Sequence, residues 1–238
     1  MKILLLLVLS AVGVDASSQD ATYDLLWHPQ VNTAIKYKLQ LEIDSNPDKF
    51  TFLANLNSKV LKIKPNGDYD IETTIKDAHV KHGIHDEPMP DDSKPTVDTY
   101  NLQGEKIASS EEDDPTEEAN PGLNTLDSIT DQLTPKSSVH IGESWTAVLQ
   151  PNAKLKREAG KVTYTLVGTE KQGNYQTLRI SFKYSQTEKD TPLAADGFVL
   201  VSQGDFSLVR FEGTLKGAKF STDPDFPAGD ATLSVVRD

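Results

Sequence analysis

The sequence predicts a mainly β protein: a curved antiparallel sheet, forming a half-barrel or open barrel, with one short helix. In residues 35–43 every odd position is apolar and every even position is polar. A period of two is typical of a strand with one buried and one wet face. The same alternation returns in residues 178–184. Asn66-Gly67 tolerates the positive φ of a tight hairpin turn, which favours antiparallel pairing of the runs around it.

The first half of the chain predicts three meandering strands. Apolar residues alternate over 50–56 and again over 69–75, on either side of the Asn66-Gly67 turn. Near residues 59–63 the apolar positions change from even to odd numbers. One inserted residue reverses which side chains face inward, so this change indicates a β-bulge.

An acidic insert and a helix separate the two halves of the predicted sheet. Residues 85–95 are rich in Asp, Glu and Pro, and residues 111–118 contain six acids. We therefore expect loop at 85–95 and an acidic flexible loop over 105–119. Asn120 and Pro121 suit a helix start, apolar residues recur near helical spacing, and Pro135 ends the pattern. The predicted helix spans 121–134.

Strands resume after the helix. Residues 139–145 read as strand, turn and strand, and alternating runs follow at 162–166 and 178–184. Further strands are expected at 197–202, 206–220 and 231–236, with turns at Gly173 and Gly204.

The amino terminus predicts export. Lys2 is followed by about a dozen apolar residues, and Val14 and Ala16 place small side chains around a cleavage site. This run is shorter than the roughly twenty apolar residues that cross a bilayer, so no transmembrane segment is expected. We expect a signal peptide at 1–16, a single β domain at 17–238, and a secreted or periplasmic location.

Composition limits the partners. The chain has 24 basic and 36 acidic residues, a formal net charge of −12, and no cysteine. Such a charge repels phosphate backbones, so nucleic acid is not an expected partner. Without cysteine there is no disulfide and no thiol chemistry.

A family resemblance adds to this reading. The order of elements is a β-meander, an acidic insert, a helix ending in Leu-Thr-Pro, and then Val139-x-x-Gly142-Glu143-x-Trp145. A glycine-containing hairpin at 197–204 follows. This resembles a set of bacterial secreted proteins with a Val-x-x-Gly-Asp/Glu-x-Trp signature. It is distantly similar to the periplasmic lipoprotein-carrier superfamily of the LolA and LppX type. The resemblance covers about residues 22–238, and implies a half-barrel with a helix in its concavity and no catalytic residues.

Three weak signals for a site are present. His79, His82 and His85 fall within seven residues and supply zinc-type ligands, although a spacing of three on a strand sends successive side chains to opposite faces. Ordinary surface histidines explain them better than a metal site does. Trp145 is either a structural anchor or a ligand-stacking ring. The acids of 111–118, and Asp223, Asp225 and Asp230, lack the spacing of a calcium loop.

The leading hypothesis is an exported, non-enzymatic protein that binds or carries an apolar or amphiphilic ligand such as a lipid. No nucleophile elbow, phosphate loop or dinucleotide fingerprint occurs, and no cofactor is expected. A sheet that is apolar on one face needs a cover, and one helix of about fourteen residues is too small for this sheet. Ordinary core packing is the commoner role for residues of this kind. The candidate groove residues are Tyr37, Leu39, Leu41, Ile71, Tyr164, Leu166, Phe182 and Tyr184.

Two alternatives stay open at this point. The first is a structural or protein-interaction module of the cell envelope, with its β layers packed dry and no ligand. The second is a metal-dependent hydrolase that uses His79, His82 and His85. The sequence identifies no protein partner.

Overall fold

A computed structural model describes residues 21–45, 49–89, 94–110, 121–152, 159–187, 193–220 and 228–238. The predicted signal peptide, the acids of 111–118, and Asp223 and Asp225 lie outside these ranges. The elements are β1 (Thr22–Tyr23), β2 (Ala34–Asp44), β3 (Lys49–Ile63), β4 (Tyr69–His82), β5 (His85–Pro88), β6 (Thr96–Tyr100), β7 (Lys106–Ser109), α1 (Pro121–Asp131), β8 (Val139–His140), β9 (Ser144–Leu149), β10 (Gly160–Gln172), β11 (Tyr175–Gln186), β12 (Ala194–Ser202), β13 (Leu208–Ala218) and β14 (Gly229–Arg237).

One antiparallel sheet of twelve strands organises the described residues. Its order is β7-β6-β4-β3-β2-β14-β13-β12-β11-β10-β9, with β5 paired to β4, and the separate pair β1-β8 lies beside it. The predicted fold class is confirmed: the protein is mainly β, its sheets are antiparallel, and the large sheet is not closed into a barrel. Within the described ranges, no helix has the length and apolarity needed to cross a membrane.

The chain order explains the sheet order. Strands β2 to β4 and strands β9 to β13 each form a meander, because strands that follow one another in the chain pair directly in the sheet. The last strand, β14, then pairs with both β13 and β2 and joins the two meanders. The long insert between β4 and β9 first adds β5, β6 and β7 to one side of the sheet and then forms α1 and β8, and β9 lies at the opposite edge.

The predicted irregularities of the first meander are confirmed. Gly67 has φ of 90°, as the hairpin turn requires. Between Val60 and Lys62 the register with β4 shifts, because β3 advances two residues while β4 advances one. This is the bulge expected from the change of apolar parity. A second bulge, which the sequence did not indicate, lies on β4 near Asp77, whose φ is 50°.

Some predicted loops are partly strand. Residues 85–88 form β5, since Gly83 turns the chain with φ of 61° and lets a fully polar segment pair back onto β4. Composition alone therefore gave the wrong answer there. The loop expected over 105–119 is wrong for Lys106–Ser109, which forms β7 on β6. Residues 111–119 of that expected loop lie outside the described residues. The helix is confirmed, and it ends at Asp131.

The hydrophobic core lies under α1. Val162, Tyr164 and Leu166 on β10 are fully buried, as are Leu178 and Ile180 on β11. Leu126 and Ile129 of the helix belong to the same cluster. We call strands β9–β13 the sealed half of the sheet. The remaining strands, β2, β3, β4, β6, β7 and β14, form the open half. In the open half, inward side chains remain partly exposed: Tyr37, Leu39, Phe52, Leu56 and Ile71.

Two glycines let aromatic rings fill the sealed half. Gly197 on β12 lies directly opposite Gly213 on β13. The Phe182 and Phe211 rings stack with centroids 5.5 Å apart, and both approach the space that side chains at these glycines would fill. The rings thus occupy inward space that the glycines leave vacant.

We expect Gly197→Ala to destabilise the protein strongly. A Cβ at this position would collide with the backbone carbonyl oxygen of Glu212 and approach Phe182 Cζ to 2.8 Å. Overpacking of this kind costs about 1–3 kcal/mol or more. Urea denaturation should show the loss. Gly204→Ala is the matched control, because its nearest contact is Ser202 Oγ at 3.6 Å. Equal stability of the two variants would contradict the packing described.

Candidate functional site: an apolar cavity beside the helix

Hydrogen bonds fix α1 on the sealed half. The hydroxyl of Tyr164 donates to the carbonyl oxygen of Ile129 at 2.6 Å, and this bond is buried. Trp145 Nε1 donates to the carbonyl oxygen of Leu133 at 3.1 Å. At the other end, Gly122 N donates to the Lys219 carbonyl at 3.0 Å. These bonds satisfy backbone groups that a helix end leaves without intrahelical partners.

The sequence signature at 139–145 serves this anchoring. Gly142 has φ of 90°, which allows the tight turn between β8 and β9. The turn places Trp145 on β9, where its ring stacks on Tyr164 with centroids 5.4 Å apart. Trp145 therefore acts as a structural anchor between the edge of the sheet and the helix.

A Tyr164→Phe substitution tests this anchor. It removes the donor to the Ile129 carbonyl and leaves a buried acceptor unsatisfied, so we expect a loss of about 1–3 kcal/mol in the free energy of unfolding. Chemical denaturation measures it. Tyr175→Phe is a suitable control, because the Tyr175 hydroxyl has no hydrogen bond to the described residues and its ring lies beside Arg237. A change below that of the control would show that the helix does not depend on this bond.

The helix is too short to cover the open half, and a cavity remains there. Eleven residues give a helix of about 16 Å, whereas strands about 4.8 Å apart make a sheet of this size several times wider. A cavity of about 390 Å³ lies between α1 and the inward face of the open half, and Leu208 and Phe211 of β13 close it on the side of the sealed half. Its lining is Trp27, Thr33, Ile35, Tyr37, Leu39, Leu56, Ser58, Lys59, Val60, Ile71, Thr73, Tyr100, Leu126, Asp127, Thr130, Leu208, Phe211, Leu233 and Val235.

The chain before β2 forms one wall of the cavity. Asn32 N donates to the Val60 carbonyl at 2.9 Å, and His28 N donates to the Asp205 carbonyl at 3.2 Å. These bonds attach the segment both to the open half and to the turn between β12 and β13. Trp27 is thereby held at the cavity, with its ring edge on Tyr69 at a centroid distance of 5.2 Å.

Three of the eight predicted groove residues line this cavity. They are Tyr37, Leu39 and Ile71. The Tyr37 hydroxyl donates to the Leu208 carbonyl at 3.3 Å, and burial raises its pKa well above the usual range, so it is a neutral donor. This bond ties β2 to β13 across the joining strand β14.

The other five predicted residues are packed in the core. Leu41, Tyr164, Leu166, Phe182 and Tyr184 all belong to the main hydrophobic cluster and are at most 6% exposed. The alternation of apolar residues is the same in both halves of the sheet. It identifies inward faces, but it does not show which of them the helix covers. Ligand contact by any of the eight stays a prediction.

Other cavity residues were missed by the sequence reasoning. Leu233 and Val235 could have been found from the alternation in β14. Trp27 and Phe211 carried no signal that separates a cavity wall from a core. Asp127 looked like an ordinary polar residue on the outer face of an amphipathic helix.

The predicted histidine cluster does not converge. His82 is the cross-strand partner of His85 in the β4-β5 hairpin, and its ring stacks on Phe50 with centroids 4.5 Å apart. His79 Nδ1 instead lies 3.3 Å from Asp86 Oδ1. In the described ranges, no three His, Asp or Glu side chains are grouped closely enough to hold a metal ion. Metal binding stays an untested hypothesis.

A polar depression lies on the opposite, outer face of the open half. Its volume is about 570 Å³, and Lys36, Lys38 and Lys76 are among its lining residues. Lys38 pairs with Asp238 at 2.8 Å. The alternation of β2 and β4 thus sends these ammonium groups away from the cavity.

Comparison with known proteins gives little further information. No protein-family model matches the chain, and no curated protein sequence matches it. A solved structure from work on lipid–protein interactions in lipovitellin is similar at a TM-score of 0.47 and 9% identity. The match covers 88% of this chain and 25% of the lipovitellin chain. The chain thus spans about a quarter of that protein, and a likeness this weak carries no argument about its ligand.

Proposed function

We propose that this protein binds an apolar or amphiphilic ligand in the cavity between α1 and the open half. The observation that carries the proposal is the cavity itself: about 390 Å³, lined mainly by aliphatic and aromatic side chains. This volume lies within the roughly 300–1,000 Å³ typical of small-molecule sites. We further propose, from the sequence, that the protein is exported and acts as a non-enzymatic carrier.

The arrangement of the wall favours an apolar chain as the ligand. Leu39, Leu56 and Val235 present aliphatic surface from three neighbouring strands, and Leu126 faces them from the helix. Burying such surface against a hydrocarbon is favourable by about 25 cal/mol per Å². The hydroxyl groups of Thr33, Ser58, Thr73 and Thr130 can orient a ligand, but they do not require the ligand to be strongly polar.

Tryptophan fluorescence offers a direct binding assay. The chain has two tryptophans, and Trp27 lines the cavity while Trp145 stacks on Tyr164 away from it. In a Trp145→Phe variant the signal comes from Trp27 alone. We expect saturable changes in its emission on titration with decanol, a neutral amphiphile. A Trp27→Phe variant, with only Trp145, should respond much less. An unresponsive Trp27, with no heat of binding by calorimetry, would contradict the proposal and favour the ligand-free structural module.

A larger side chain inside the cavity should weaken ligand binding. We expect Leu56→Trp to weaken decanol affinity by about tenfold or more, measured by calorimetry, because the larger ring occupies ligand space. Leu53→Trp is the matched control. It lies three residues earlier on β3 and therefore faces the other side of the sheet, opposite Gln40 and His79. Unchanged affinity in both variants would place the ligand elsewhere.

Native mass spectrometry tests the carrier role in the cell. Protein purified from its natural source should carry a bound amphiphile at about one per chain, and Leu56→Trp protein from the same source should not. A mass equal to the bare chain in both preparations would contradict the carrier role.

A further inference from the structure

The charged residues around the cavity define the chemistry of the head group. Two charged residues, Lys59 and Asp127, line it within the described part of the chain. Lys59 lies between the inward residues Ser58 and Val60 on β3 and is itself exposed, so its side chain projects to the outer face. Asp127 is more than a third exposed, and the open space beside it is the cavity. The cavity therefore presents a carboxylate.

Further acids surround Asp127. Asp98 lies on β6, two residues from Tyr100 and on the same face, opposite Ile71. Asp98 Oδ1 is buried and has no hydrogen-bond donor among the described residues, whereas Oδ2 accepts from the Tyr100 hydroxyl at 3.5 Å and lies 3.9 Å from Lys106 Nζ. Asp131 is one turn along the helix from Asp127. The Asp127 carboxyl, which lines the cavity, therefore has the carboxyl groups of Asp98 and Asp131 in its neighbourhood, together with the Lys106 ammonium group.

The carboxyl groups of this region also affect the pKa values of Asp127 and Tyr100. The Asp127 side chain reaches the open space of the cavity, but protein walls crowd its carboxyl group, and this desolvation raises its pKa. Lys106 lowers that pKa, and Asp98 raises it further. Burial also raises the pKa of Tyr100, and Asp98, Asp131 and Asp127 add to that effect. An anion in this region would meet repulsion from the carboxylates of Asp127 and Asp98.

Aromatic rings stand beside these acids. Tyr100 lines the cavity and stacks on Tyr69 with centroids 5.7 Å apart, and Trp27 packs edge-on against the same Tyr69. The faces of Tyr and Trp rings attract cations, and quaternary ammonium groups are recognised in this way. Ring faces and a carboxylate together are the features that such recognition uses.

We propose that the ligand of this cavity is an amphiphile with a cationic ammonium head group, placed between Asp127 and Tyr100 with its chain along the apolar wall. This inference rests on the proposed function, since it names the class of ligand for the same cavity. The opposite class, a fatty acid or other anionic amphiphile, would bring its head group among Asp98, Asp127 and Asp131.

A series of probes with equal chains tests the head group. Decyltrimethylammonium, decanol and decanoate are titrated below their micelle concentrations into the full chain at about pH 7, with calorimetry as the readout. We expect decyltrimethylammonium to bind about tenfold more tightly than decanol, and decanoate to bind more weakly than decanol. If all three bind equally, or decanoate binds best, the head-group inference is wrong and the proposed function stands. If none binds, the proposed function itself fails.

Asp127→Asn separates this carboxylate from the general acidity of the protein. The amide keeps the shape of the side chain, so we expect the loss in decyltrimethylammonium affinity to exceed any loss in decanol affinity by about tenfold. Asp196→Asn is the charge-matched control. It lies on β12, exposed, opposite Lys183 and Thr214. An equal loss in both variants would show that only net charge matters and would overturn the assignment of Asp127.

The pH dependence gives an independent readout. Decyltrimethylammonium does not titrate, so any change in affinity between about pH 8 and pH 4 comes from the protein. Because the pKa of Asp127 is raised, its charge is lost at a higher pH than that of an ordinary aspartate, and affinity should fall as the pH falls through that value. Asp127→Asn should remove most of this fall. Asp98, Asp131, Lys106 and Tyr100 are the other charged or titratable groups that face this region. A profile unchanged by Asp127→Asn would contradict the proposal.

Discussion

The rest of the structure depends on one constraint: the short helix α1 packs on the sealed half of the sheet alone. Tyr164, fully buried on β10, donates a hydrogen bond to the last turn of α1. Trp145 on the edge strand β9 donates one to the carbonyl oxygen of Leu133, just beyond the end of the helix. The helix must therefore lie over β9–β13. Eleven residues cannot also cover the open half. The core and the cavity are two consequences of the same docking.

This docking gives similar strands different roles. The period of two is equally clear in β2 and in β11. On β11 it produces a dry interior, where Leu178 and Ile180 are fully buried. On β2 it produces a wall of the cavity, with Tyr37 and Leu39 partly exposed. The uncovered wall has the apolar side chains of a core but no protein layer packed on it. We propose that an apolar ligand covers it. The same alternation places Lys36 and Lys38 on the outer face.

Much of the fold could be predicted from the sequence because local rules determine it. The Asn66-Gly67 turn, the β3 bulge and the helix after Asn120 each follow from a few neighbouring residues. The pairing of β5 could not be predicted in this way. Its four residues are exposed, and the backbone pairing that holds them to β4 leaves no mark on the amino-acid composition. The site was harder still. Tyr37 and Tyr164 look alike in the sequence, and only the position of the helix separates a wall residue from a core residue. Asp127 can be recognised as a cavity residue only from the fold, which places it on the same cavity as Tyr100 and the open half.

The central claim is that the open half, and not the sealed half, receives a ligand. Methyl nuclear magnetic resonance during a decanol titration tests it most directly, because leucines lie in both halves. The structure predicts saturable shifts for the methyl groups of Leu39, Leu56 and Leu233, which line the cavity. It predicts no shift for Leu166, Leu178 and Leu215, which are fully buried in the core. Shifts confined to the second group, or no shifts at all, would contradict the account.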